Sequence, residues 1–199
     1  MAEVAVPMVP GDADAGAIAT AHPLQNSWTL WFDSKRTQKE GTAWEDNLQV
    51  VGNVKTVEEF WATQAFIKQP TAMEIGASYH FFKTGVMPMW EDPANKQGGK
   101  FTISLVTGAD QYRLDTVWEE LSMALIGEYL DEGVGEQITG CVLGKRRNMA
   151  KVSIWTKDAS NIEALKTIGA RIKAMANVSA VVEYFPHGEE SHEPAFRVE

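Results

Sequence analysis

Phe101-Thr102-Ile103-Ser104-Leu105-Val106 alternates apolar and polar side chains over its first five positions. Successive side chains of a strand point to opposite faces, so Phe101, Ile103 and Leu105 share one face and Thr102 and Ser104 the other. A half-buried strand of this kind belongs to an antiparallel sheet with one face covered. Just before it, Asn95 to Lys100 reads as a turn. Met87-Pro88-Met89-Trp90-Glu91-Asp92 reads as an ordered loop, because Pro88 and Pro93 interrupt regular pairing. Tyr79 to Lys83 leads into that loop as a strand. After Val106 the spacing of Trp118, Leu121, Leu125 and Tyr129 predicts a helix from about Asp115 to Leu130, capped by Asp115 or Thr116.

The same two periods recur further out. Strands are predicted at Ser27–Asp33, Leu48–Val54, Ile138–Gly144, Lys151–Thr156, Val178–Phe185 and Ala195–Val198. A helix from Val57 to Lys68 follows a capping box, with Thr56 as N-cap and Glu59 reaching back. Another follows Ser160-Asn161-Ile162-Glu163, with Ile162, Leu165, Ile168, Ile172 and Met175 as its apolar face. Strands joined by hairpins, with three amphipathic helices among them, imply an α+β fold: a curved antiparallel sheet with three helices packed on its convex face. The opposite face stays open as a ligand groove.

A length of 199 residues suits one domain with a sizeable core, and 44% hydrophobic with 23% charged residues is ordinary for a globular protein. A net charge of -9 argues against broad attraction to nucleic acid phosphates, so any such contact must be local. The single cysteine, Cys141, excludes an internal disulfide and points to a reduced cytoplasmic or nuclear setting. Residues 1–21 lack aromatics and any period and read as a flexible tail, fitting neither a secretory signal nor a presequence; no apolar run could span a membrane.

Catalytic motifs are missing from the sequence. His22, His80, His187 and His192 are scattered without metal-ligand spacing, there is no phosphate loop or nucleophile elbow, and pairs such as Glu91-Asp92 and Glu119-Glu120 read as solvated surface. No catalytic residue, cofactor or metal is expected. Binding chemistry is better supplied. The Met87–Asp92 loop sets a large π-face beside a carboxylate, which suits a flat ligand with N–H donors on one edge, such as guanine. Trp44 lies among turn formers and charges, either as an exposed aromatic or folded back over the sheet edge. Lys145, Arg146, Arg147 and Lys151 gather four cations in an acidic chain, and alternation puts Lys151, Ser153 and Trp155 on one face. On the first helix, Val57, Trp61 and Gln64 form a second stripe, either core or a patch that receives a partner's helix.

From His22 onward the chain resembles the eukaryotic translation initiation factor 4E family, which binds the 7-methylguanosine cap of mRNA. The resemblance is carried by His22-Pro23-Leu24-Gln25-Asn26-Ser27-Trp28, Trp31-Phe32, Thr56 to Ala62, Pro88-Met89-Trp90-Glu91-Asp92, Gly98-Gly99, Leu125-Ile126-Gly127-Glu128 and Ile154-Trp155-Thr156. It implies one non-enzymatic, monomeric cap-binding domain over residues 22–199 that acts in translation initiation or its regulation. Trp44 and Trp90 match the indoles that sandwich the methylated base, Glu91 the carboxylate that reads its edge, and Trp155 the indole near the N7 methyl. Arg146 and Lys151 match the cations of the phosphate bridge.

The resemblance further implies that His22, Pro23, Leu24, Val57, Trp61, Glu119, Glu120 and Met123 form the surface for a helical Tyr-x-x-x-x-Leu-apolar motif, carried by a 4G-type scaffold factor or a 4E-binding repressor. Three positions depart from the family pattern. Phe101 stands where tryptophan is common, Asn148 where a second phosphate-site lysine is common, with Lys145 or Arg147 to compensate, and Glu119 where an apolar residue is usual. A carboxylate in that groove should weaken an apolar anchor. The rival readings are a family-fold adaptor that works through its helical face and, less well supported, a small enzyme acting on nucleotides.

Overall fold

The computed structural model describes residues 21–34, 41, 43–106, 108, 111–177, 180–188 and 193–198. All but the last residue of the expected tail lies outside the described residues, as does His192. Among the described residues the strands are β1 (Pro23–Asp33), β2 (Gln49–Thr56), β3 (Ser78–Lys83), β4 (Gly99–Val106), β5 (Ile138–Lys145), β6 (Met149–Thr156), β7 (Val182–Pro186) and β8 (Phe196–Val198). The helices are α1 (Val57–Phe66), α2 (Leu114–Ile126) and α3 (Ile162–Ala176). The strands form one curved, unclosed sheet in the order β2-β1-β3-β5-β6-β4-β7-β8, every neighbouring pair antiparallel.

Alternation sorts the two faces. Phe101, Ile103 and Leu105 of β4 join Val152 and Ile154 of β6, Cys141 and Leu143 of β5, Tyr79 and Phe81 of β3, and Trp28 and Leu30 of β1 in one core. Phe60 of α1, Leu121 of α2 and Ile168 of α3 belong to the same core, so the three helices cover the convex face. Phe101 is buried there with its ring 4.7 Å from that of Tyr184, so its departure from the family pattern stays inside the core. Thr102 and Ser153 point the other way and hydrogen bond across β4 and β6 at 3.0 Å.

Helix ends differ from expectation where another partner, near or far in sequence, claims the capping side chain. Thr56 does cap α1, accepting the Glu59 N–H, but the Glu59 carboxylate takes the Lys55 amide at 2.6 Å. The Val57 N–H goes instead to the His22 carbonyl at 3.0 Å. Asp115 does not cap α2: its carboxylate takes the Thr71 N–H and hydroxyl, and α2 starts behind Arg113. Ser160 bonds Asp158, which leaves Asn161 to cap α3. Helix α1 stops at Phe66, where Ile67 turns extended as the C-cap, its N–H still bonded to the Thr63 carbonyl, ahead of the tight turn that Pro70 begins. Helix α2 stops at Ile126 because Gly127 caps it and Glu128 turns to φ 54°.

Candidate functional site

The open face is built across the middle strands. By alternation β3 sets Ser78, His80 and Phe82 on it, β6 sets Lys151, Ser153 and Trp155, and β4 sets Lys100, Thr102 and Ser104. Register aligns Phe82, Gly140, Trp155, Lys100 and Phe185 in one row. Gly140 is required in that row: a Cβ there would lie 2.2 Å from carbons of the Phe82 ring. Without it, the Phe82 ring packs against Trp155 edge to face, centroids 5.4 Å apart.

Trp155 is half-buried, with the His187 ring 4.2 Å away and the Lys100 ammonium 5.9 Å from its centroid. The Trp155 Nε1 and His187 Nε2 atoms are both buried without a hydrogen-bond partner among the described residues. Burial, and then the charge of Lys100, push the His187 pKa down to about 4. Burial and the neighbouring Lys151 charge also lower that of Lys100. No carboxylate forms an ion pair with Lys100, Arg146 or Lys151 among the described residues. This stretch of the face therefore carries positive charge that no described carboxylate neutralises.

Arg146 lies at the hairpin end of the face, where it donates to the carbonyls of Ala77 and Lys145 and packs over Gly144. Lys145 does not join it, which corrects one sequence expectation. Lys145 shares the side of Cys141 and Leu143, and its ammonium is bound to the Thr71 carbonyl. Arg147 and Asn148 are exposed in the connecting turn.

The loop after β3 is ordered by its own polar groups. Asn95 is fully buried and donates to the carbonyls of Met87 and Met89, both at 2.9 Å. Asp92 accepts from the amides of Met87 and Ala94. With Asp92 and Asn95 committed inward, the Trp90 and Glu91 side chains are left outward. Trp90 is 49% exposed, and Glu91 is exposed without a polar partner among the described residues. The Trp90 N–H likewise has no acceptor among them.

Trp44 opens a single helical turn, Trp44–Asn47, and is half-buried rather than free. Its indole Nε1 donates to Asp33 at 3.0 Å, and its ring packs edge-on to His80 with centroids 5.5 Å apart. The strand-derived part of the predicted site, Lys151 and Trp155, thus stands on the open face. Trp44 is tied to that face through His80, and Trp90 and Glu91 sit on the loop between β3 and β4. Lys100, His187, Asp33 and His80 escaped sequence reasoning as site residues. Alternation from Thr102 back to Lys100 was a usable signal; the polar stretch around His187 offers none.

The helical side carries the other predicted group. His22 bonds Glu58 through both its N–H and its ring, at 3.0 and 2.6 Å. Those bonds, the ring's first, hold the Glu58 pKa down at about 2. Phe60 is the one buried residue of α1; Val57 is half-buried and Trp61 is 44% exposed, so the second stripe is surface rather than core. Pro23 is exposed and Leu24 packs partly on the core, as Met123 does. Glu119 is exposed beside Gln64 and Lys68 in a cleft of about 80 Å³, whereas Glu120 has one carboxylate oxygen sealed without a partner. No described helix is long and apolar enough to cross a membrane.

Comparison with known proteins gives one result. The family model for eukaryotic initiation factor 4E matches residues 23–198. The chain is 38% identical over 184 residues to eukaryotic translation initiation factor isoform 4E of Nicotiana tabacum, covering 92% of this chain and 89% of the relative. It is also 38% identical over 180 residues to initiation factor 4E-1 of Hordeum vulgare, covering 89% and 81%. Among solved structures, Ascaris suum eIF4E-3 in complex with an m7G cap matches with a TM-score of 0.83 at 34% identity, over 90% of this chain and 98% of that one. Caenorhabditis elegans eIF4E-3, solved with the 4E-binding protein Mextli and a cap analog, matches with a TM-score of 0.80 at 36% identity, over 90% and 100%. With a family model, a sequence and a fold that agree over nearly the whole described chain, this protein belongs to the eukaryotic initiation factor 4E family.

Proposed function

We propose that the open face binds the 7-methylguanosine cap of mRNA, and that the chain serves translation initiation or its regulation without catalysing a reaction. The observation that carries this reading is a set of cations on the open face, Lys100 at the half-buried Trp155 ring with Lys151 and Arg146 toward the hairpin end, none paired with a described carboxylate in a protein of net charge -9. Such a set attracts a triphosphate locally while the body repels other polyanions. Complexes of the Ascaris and Caenorhabditis relatives with cap ligands support the same choice of ligand.

In this mechanism Trp44 and Trp90 take the two faces of the base. Stacking contributes about 1–3 kcal/mol per base, and N7 methylation makes the ring cationic, adding about 2 kcal/mol of cation–π attraction once desolvated. Glu91 accepts from N1–H and the N2 amino group, and the free Trp90 N–H donates to O6. Trp155 packs by the N7 methyl, and the three cations hold the phosphates, with Lys100 filling the role that Lys145 cannot. The α1–α2 side, with Trp61 and Met123, receives a helical segment of a scaffold factor or 4E-binding repressor; that the Caenorhabditis relative forms a complex with the 4E-binding protein Mextli supports a partner of this class.

Glu91→Ala tests the edge reading. Retention on immobilised 7-methyl-GTP should be lost in this variant while the melting temperature is kept, since Glu91 makes no internal bond. Wild-type retention would refute the assignment.

A further inference from the structure

Trp44 is held in place before any ligand arrives. Asp33 ends β1 opposite Ser78, and the preceding pair in register but one is Trp31 with His80. One Asp33 carboxylate oxygen accepts the Trp44 Nε1–H at 3.0 Å; the other lies 3.3 Å from His80 Nε2. His80 is only 5% exposed, and its ring meets the Trp44 ring at 69°. The hydrogen bond fixes the direction of the indole edge, and the ring contact fixes the tilt of its plane. Burial opposes the charge on Asp33, but the bond and charge of His80, with bonds from Trp44 and Ser78, outweigh it and keep the carboxyl below its ordinary range. An ionised acceptor makes the stronger kind of hydrogen bond.

We infer that Asp33, braced by His80, is a positioning residue that pre-sets the Trp44 indole for stacking. The inference rests on the cap-binding reading of Trp44 given above. Holding the ring in its bound orientation removes the ordering cost from the binding step. Asp33 need not touch the ligand; it acts through Trp44 alone.

A double-mutant cycle separates this role from general support of the sheet end. Calorimetry would give the 7-methyl-GTP affinity of the wild type, Asp33→Ala, Asp33→Asn, Trp44→Phe and the Asp33→Ala/Trp44→Phe double variant. Asp33→Ala should weaken binding about tenfold, the loss typical of a hydrogen bond to a charged group. Asp33→Asn, whose amide oxygen still accepts the indole N–H, should stay within about threefold of the wild type. Trp44→Phe keeps an aromatic face but has no N–H, so adding Asp33→Ala to it should cost less than about twofold. Equal losses in the two backgrounds, or none in either, would overturn the inference. A ligand-free readout keeps it distinct from cap binding. In protein labelled with 5-fluorotryptophan, the Trp44 fluorine resonance, identified by its absence in Trp44→Phe, should move toward the solvent-exposed position in Asp33→Ala. An unmoved resonance would refute the positioning role whatever ligand binds.

Discussion

Replacing Lys100 with methionine keeps the aliphatic stem and removes only the charge. Lys100 has no carboxylate partner among the described residues, sits 5.9 Å from the Trp155 ring centre and is made less basic by burial and by Lys151. One unit charge about 6 Å from a phosphate charge is worth ~2.8 kcal/mol at an effective dielectric of about 20 and ~0.7 kcal/mol at about 80. The variant should therefore bind 7-methyl-GTP roughly 3- to 100-fold more weakly, while the 7-methylguanosine nucleoside, which has no phosphate, should bind as before. Calorimetry with the two ligands at two salt concentrations makes the comparison, and the wild-type advantage for the triphosphate should shrink as salt rises. The same change relieves repulsion among Lys100, Lys151 and any protonated His187, so the ligand-free variant should not melt below the wild type. An equal loss for nucleoside and triphosphate would refute the reasoning, because it would place Lys100 at the base.

Gly140→Ala drives a Cβ to 2.2 Å from the Phe82 ring and should cost about 1–3 kcal/mol of stability, with the Trp155 emission shifted as Phe82 is displaced; an unchanged melting curve would contradict the packing described. His187 has a folded-state pKa of about 4 against 6.5 when free. Between these values the unfolded chain holds the extra proton, so stability should fall as pH drops from about 6.5 to 4. Denaturant midpoints across that range should show a shallower slope in His187→Phe. Glu119→Leu should bind a synthetic Tyr-x-x-x-x-Leu-apolar peptide several-fold more tightly, because a solvated carboxylate no longer has to be buried under the apolar anchor; fluorescence anisotropy of the labelled peptide reports the change, and equal affinities would place Glu119 outside the contact.

The sheet was legible because its signal is local. Alternation in Phe101 to Val106 and in Lys151 to Trp155 assigns side chains to faces without knowledge of their neighbours, and the core bears this out. Helix starts were less legible, because a cap is a competition. Asp115 and Ser160 are good capping residues, but Thr71 and Asp158 engage them first. Lys145 and Arg146 are adjacent in sequence yet fall on opposite sides of β5, a consequence of strand period that a count of charges conceals. The anchoring of Trp44 was hidden because Asp33 and His80 reach it across strands. His187 is brought to Trp155 by strand pairing, Pro186 lying opposite Gly99 and the His187 amide bonding the Gly98 carbonyl just before β4.

Cap recognition is tested most directly by titrating intrinsic tryptophan fluorescence with 7-methyl-GTP and, in parallel, with GTP. Stacked indoles are quenched on binding, so the methylated ligand should quench saturably and GTP much more weakly. In Trp90→Ala the saturable component should be lost. Equal quenching by the two ligands, or none by either, would contradict methyl-cap recognition, and protein contacts on the α1–α2 side would then stand as the principal function.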